Sequence, residues 1–130
     1  MRNRTLKYII KINGIYDILC ALCILRIIYI PYLNNLHLSM MKDYSPPTTS
    51  QVHTHSPELF ERFFSYWIFT YGVVRLSNNY KTVSYSYYIE AVFFMNECMY
   101  NSVHVPQAFF VIGSSVLLGY LAQITDVTTV

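Results

Sequence analysis

From Cys98 through Thr125 the chain carries no Asp, Glu, Lys or Arg. So long an uncharged run argues against a pair of core helices in a soluble protein. It is ample to cross a hydrocarbon core of ~30 Å, which takes ~20 helical residues at ~1.5 Å each. Three more apolar segments precede it, at residues 8–33, 59–76 and 83–100, and the fourth span falls at 105–124. Together they predict an all-α integral membrane four-helix bundle, a single domain over 1–130 with an extramembrane loop at 34–58.

Composition points the same way. Hydrophobic residues make up 54% and charged residues 12%, against about 25% charged in ordinary soluble domains. A net charge of only +2 argues against a nucleic-acid binder driven by phosphate neutralisation. Arg2, Arg4 and Lys7 precede the first segment and Lys81 separates the second from the third, whereas Lys42 lies in the long loop and Arg62 just inside the second segment, beside Glu58 and Glu61. The positive-inside rule then places both termini in the cytosol.

The segment ends carry their own signals. Pro31 and Asn34-Asn35 close the first, and the run 45–50 has the proline and hydroxyl chemistry of a loop. Ser56-Pro57-Glu58 has the pattern of a helix start with Ser as N-cap. Ser77-Asn78-Asn79 separates the second and third segments, and Pro106 opens the fourth. Leu33, Leu36, Met40 and Tyr44 share one helical face, which suits a short interfacial helix or a plain loop.

Asp17, Arg26, Arg75, Glu90 and Glu97 all fall inside the apolar segments. A central Asp or Arg costs roughly +2.5 to +3.5 kcal/mol, while each Ile or Leu returns only roughly 0.3 to 0.6. Each ion therefore needs a partner, a water-filled cavity or a function. Helix rise puts Asp17 ~13 Å and Arg26 ~27 Å from the cytosolic face, with Glu90 ~10 Å and Glu97 ~21 Å deep. Arg75 lies within a turn or two of that face. Two layers are expected: an inner one of Asp17, Arg75 and Glu90, and an outer one of Arg26 and Glu97. Their role is structural pairing between helices or an ion path, and three acids against two arginines leave one carboxylate over.

Other chemistry is sparse. Cys20-Ala21-Leu22-Cys23 is a CxxC with both sulfurs on one helix face, the spacing of a thiol oxidoreductase, but an odd count of three cysteines favours buried thiols. His53 and His55, with His37 nearby, form at most a weak metal site. No phosphate-binding, dinucleotide-binding or hydrolase signature occurs; no catalytic residue, metal or cofactor is expected. Gly113, Ser114, Ser115 and Gly119 place small residues on the fourth segment for helix packing, within the chain or in a homo-oligomer.

Segments two to four resemble the ergosterol-biosynthesis scaffold family of four-span endoplasmic reticulum proteins. The likeness is carried by Arg62-Phe63-Phe64-Ser65-Tyr66-Trp67, Val73-Val74-Arg75-Leu76, Phe94-Met95-Asn96-Glu97 and the small-residue run from Ser114 to Gly119. Arg62, Trp67, Arg75 and Glu97 take the motif positions, while Ser65, Ile68 and Phe93 depart from the family pattern. The resemblance implies a non-enzymatic scaffold of an internal membrane whose partners are the lipid bilayer and membrane-bound enzymes. A small transporter or proton-coupled pore using Asp17, Glu90 and Glu97 is the alternative from the charges alone.

Overall fold

The computed structural model describes residues 2–31, 33, 36–42, 44 and 56–128. Over these the chain is all-α, with four helices: α1 (Arg2–Ile24), α2 (Leu59–Leu76), α3 (Tyr80–Met99) and α4 (Val105–Thr128). Among the described residues between α1 and α2, Leu38–Met40 form a 3-10 turn. One described helical stretch, Val105–Thr125, is long and apolar enough to cross a membrane by length and composition. The other three helices keep Lys7, Lys11, Asp17, Glu61, Arg62, Arg75, Lys81, Glu90 and Glu97 among their apolar residues, and this lowers their hydrophobicity.

The first helix ends at Ile24, nine residues short of the expected boundary at 33. The cause is a Schellman closure. Arg26 N–H donates to Cys23 O at 3.0 Å and Ile27 N–H to Leu22 O at 3.1 Å, which caps two carbonyls the helix would leave orphaned. Arg26 stands in the left-handed region at φ 61°, where glycine is usual. The same closure ends α3: Asn101 N–H donates to Cys98 O and Ser102 N–H to Glu97 O, with Asn101 at φ 57°. The helix starts also shift. Glu58, not Ser56, is the N-cap of α2, with Glu61 Oε1 accepting its N–H at 3.1 Å. Asn79 caps α3 through Thr82 N–H, so α3 begins at Tyr80 rather than at 83.

The helices run alternately up and down as two antiparallel pairs. In the first, Ser65 Oγ donates to Ala21 O at 2.9 Å, and one end further on Gly14 meets Gly72. A Cβ on Gly72 would lie 2.8 Å from Gly14 O and 2.6 Å from Ile18 Cγ1, so only glycine lets these backbones come so close. In the second, Gly119 receives the Tyr88 ring, 2.9 Å from where its Cβ would be, and Tyr88 Oη donates to Gln123 Oε1. The pairs meet where Ile10 packs among Tyr80, Val83, Tyr87 and Ala122. This puts the start of α1, the 77–79 turn and the end of α4 at one end of the bundle.

On α2 and α4 many large apolar side chains face outward, and small or polar ones make up much of the inward face. The buried stripe of α2 is Glu61, Ser65, Ile68, Tyr71, Gly72 and Arg75, and that of α4 is Ala108, Ser115, Gly119, Ala122 and Thr125. Both follow the i, i+4, i+7 spacing of a helix face. The opposite faces expose Phe63, Phe69 and Val73 on α2, and Phe109, Phe110, Val116 and Leu117 on α4. Ser115 and Gly119 thus serve packing within the chain. Gly113 does not serve helix packing as expected: a Cβ there would meet nothing within 4 Å.

At the other end the described part of the long connection folds back into the mouth of the bundle. Met41 bridges Val103, with Lys42 N–H donating to Ser102 O and His104 N–H to Met40 O. Leu38 packs on Ala21, Ile24 and Ile68, and Met40 on Phe94, Val103 and Ala108. Of the two readings for the stretch with Leu33, Leu36, Met40 and Tyr44, interfacial helix or plain loop, the described residues show loop with one 3-10 turn, where Leu38 and Met40 find apolar partners inside. His53, His55 and the run 45–50 lie outside the described residues.

Candidate functional site

Arg75 is the centre of the bundle. It lies on the inward stripe of α2 and is 2% exposed. Its Nη1 donates to Asp17 Oδ2 of α1 at 2.5 Å, its Nη2 to Glu90 Oε2 of α3, and its Nε to Ser86 Oγ at 3.3 Å. The Tyr87 and Tyr71 rings lie against the guanidinium at 3.9 and 4.9 Å from its carbon. The planar fork of Arg suits such a setting: fixed in-plane donors meet oxygens, and its faces meet π-systems. Tyr87 is itself held, donating from Oη to Asn13 Oδ1 at 2.6 Å. One side chain thus ties three helices together.

The outer layer is not formed. Past the Schellman closure Arg26 turns toward α2, where its Nη2 lies 3.9 Å from Glu61 Oε2. Glu97 is exposed at the last turn of α3 and accepts from Ser102 Oγ. Glu90 and Glu97 are seven residues apart, and an α-helix drifts about 20° per heptad. Glu90 already stands at the edge of the buried stripe, so that drift carries Glu97 outside.

Two clefts flank the core. A polar one of about 680 Å³ opens between α1 and α4, with Asp17, Arg75 and Glu90 at its floor and Leu118, Val111 and Phe110 on its walls. An aromatic one of about 770 Å³ opens between α2 and α3, lined by Phe64, Trp67, Phe93 and Phe94, with Glu97 at its edge. His37 lines both. Between them a space of about 10 Å³ is bounded by Asp17, His37, Tyr71, Arg75 and Glu90. His37 Nδ1 and Tyr71 Oη, against which the Trp67 indole leans, have no hydrogen-bond partner of good geometry among the described residues. Burial, with the charge of Arg75 as the smaller cause, pushes the His37 imidazole down to about 4, so at neutral pH it is uncharged.

The remaining expected positions scatter. Arg62 Nη1 donates to Pro57 O at 2.7 Å at the mouth. Trp67 sits in the aromatic cluster between α2 and α3. Cys20 and Cys23 are buried free thiols. Ser86, Tyr71, Tyr87, Glu61 and His37 were not read as parts of an ionic site. For three of them the spacing held a signal: Tyr71 is one turn before Arg75, and Ser86 and Tyr87 are one turn before Glu90. For His37 nothing local marked it.

What the fold and site define is an all-α, four-helix protein built around a buried ionic core. Comparison with protein-family models, curated proteins and solved structures finds no match to the chain.

Proposed function

We propose that the chain is an integral membrane four-helix bundle acting as a non-enzymatic scaffold or assembly factor for membrane-bound enzymes. The membrane reading is supported by the inverted surface. Phe, Val and Leu side chains face out from α2 and α4 while Ser, Gly, Ala and charged residues face in. Small interfacial residues and paired interior ions are what packing in lipid favours, and contiguous exposed apolar surface needs a lipid or protein cover. With Arg4 and Lys7 at the end where the chain begins, and Lys81 close by, that end is the cytosolic one. Residence in the endoplasmic reticulum or another internal membrane rests on the resemblance of Arg62, Trp67, Arg75 and Glu97 to the sterol scaffold motif.

The scaffold reading is carried by one observation: every nitrogen of Arg75 has a partner. Its donors meet Asp17, Glu90 and Ser86 and its faces meet two tyrosines. An arginine so enclosed is a clamp between helices, unlike a charge that must release its partner during a transport cycle. A pore using Asp17, Glu90 and Glu97 also lacks its third member, since Glu97 lies on the exterior.

Photo-crosslinking from position 69 or 73, on the outward face of α2, tests this in native membranes. The expected result is defined adducts with membrane enzymes that persist in the Cys20→Ser variant. Adducts with lipid alone, together with ion flux in reconstituted vesicles that is abolished by Glu90→Gln, would replace the scaffold by the pore.

A further inference from the structure

We propose that the cleft between α1 and α4 is a binding site for a primary ammonium group carried on an apolar chain. The ligand class follows from the lining. The floor holds two carboxylates, Asp17 and Glu90, against one guanidinium, Arg75, so one negative charge is left uncompensated. Among the described residues no other charged side chain lines the cleft: α1 adds Asn13 and Tyr16, α3 adds Tyr87, and α4 adds Gln107 and two serines. His37 stands over the floor as a neutral imidazole, and its buried Nδ1 is without a partner among the described residues. Deeper in, Tyr71, only 8% exposed, borders the small space behind the same carboxylates.

An uncompensated carboxylate in a low-dielectric cleft attracts a cation. The surplus carboxylate accepts N–H donors, and an ammonium brings three with no acceptor of its own. A quaternary ammonium would supply the charge without the donors, and a hydroxyl a donor without the charge. The walls set the rest of the ligand. Leu118, Val111 and Phe110 are apolar, and α4 touches α1 only sparingly, with small Ser114 and Ser115 leaving room between them. A space of about 680 Å³ falls in the range of small-molecule sites, ~300–1,000 Å³.

The site is independent of the scaffold reading, and its test uses the full chain purified in a neutral detergent. Dodecylamine, dodecanol and dodecyltrimethylammonium are titrated at pH 7, and the rise in melting temperature is followed. Dodecylamine is expected to bind at least about tenfold more tightly than either comparator, a difference of ~1.4 kcal/mol. Glu90→Gln leaves Asp17 on Arg75 but removes the surplus charge, and should remove that preference. Ser114→Leu fills the cleft without touching a charge, and should weaken dodecylamine by a similar factor. Equal binding of amine and alcohol, no binding of the amine, or amine binding unchanged in whichever of the two variants folds would overturn the proposal.

Discussion

Arg75 and Arg26 both sit in apolar sequence, yet the fold treats them differently. Arg75 is mid-helix, enclosed by two carboxylates, a serine and two rings. Arg26 lies beyond the end of α1, 3.9 Å from Glu61 of α2. The difference lies in the backbone. Within a regular helix the depth of a side chain is fixed by rise, and Arg75 has no escape from the interior except a built partner. Past a Schellman closure the chain is free to turn, and Arg26 reaches buried Glu61 instead of Glu97.

Removing the guanidinium should have the largest effect. Arg75→Gln leaves Asp17 and Glu90 facing one another in the interior and should cost about 3–5 kcal/mol, the scale for breaking a buried pair. Thermal unfolding in detergent, or loss of folded yield, would show it. A cost below ~1 kcal/mol, the surface-pair scale, would contradict the enclosed setting of Arg75. Next is the contact that lets α1 and α2 approach. Gly72→Val drives a side chain into Gly14 O and Ile18 and should cost about 1–3 kcal/mol by overpacking. Gly113→Ala, facing open space, should be neutral or stabilising by up to ~1 kcal/mol from helix propensity alone.

The third concerns His37, which joins the mouth to the core. Its imidazole is pushed down from 6.5 to about 4, so the unfolded chain binds its proton first as pH falls. The stability it contributes is whole above pH ~6.5 and is lost as pH drops through about 4. His37→Gln should flatten the pH dependence of the melting temperature over that window, and an unaltered slope would remove His37 from the shielded interior. The smallest effect is at Arg26. Arg26→Gly relieves a left-handed residue, worth ~1–2 kcal/mol, while giving up the 3.9 Å pair with Glu61. The two changes oppose one another, so the net loss of unfolding free energy should be smaller than for Arg75→Gln, and a loss as large would mean that the Glu61 pair matters more than its geometry indicates.

Depth arithmetic was enough to place Asp17, Arg75 and Glu90 at one level because all three lie within uninterrupted helix. It failed for Arg26 because a left-handed C′ position announces itself when filled by Gly or Asn, as at Asn101, and not when filled by Arg. It failed for Glu97 because a seven-residue spacing is not quite two turns. The inward face of α2 was hidden for a related reason. Hydrophobic periodicity looks for large apolar residues inside, and here they point out. The small stripe Ser65, Gly72 and, on α4, Ser115 and Gly119 carried the interior, and only the last pair has the small-xxx-small spacing that sequence reading recognises. The folding-back of Leu38 and Met40 could not be foreseen, since it depends on a bridge between Met41 and Val103 far apart in sequence.

The claim at the centre of this account is that Arg75 is a clamp across three helices and Arg26 is not. A pair of double-mutant cycles in detergent, Asp17→Asn with Arg75→Gln and Glu61→Gln with Arg26→Gln, measures it most directly. A coupling above ~1.5 kcal/mol is expected for the first cycle, within the ~0.5–3 kcal/mol found for residues in one network, and a smaller one for the second, whose charged atoms lie 3.9 Å apart rather than 2.5 Å. Equal couplings, or additive effects at Asp17 and Arg75, would contradict it.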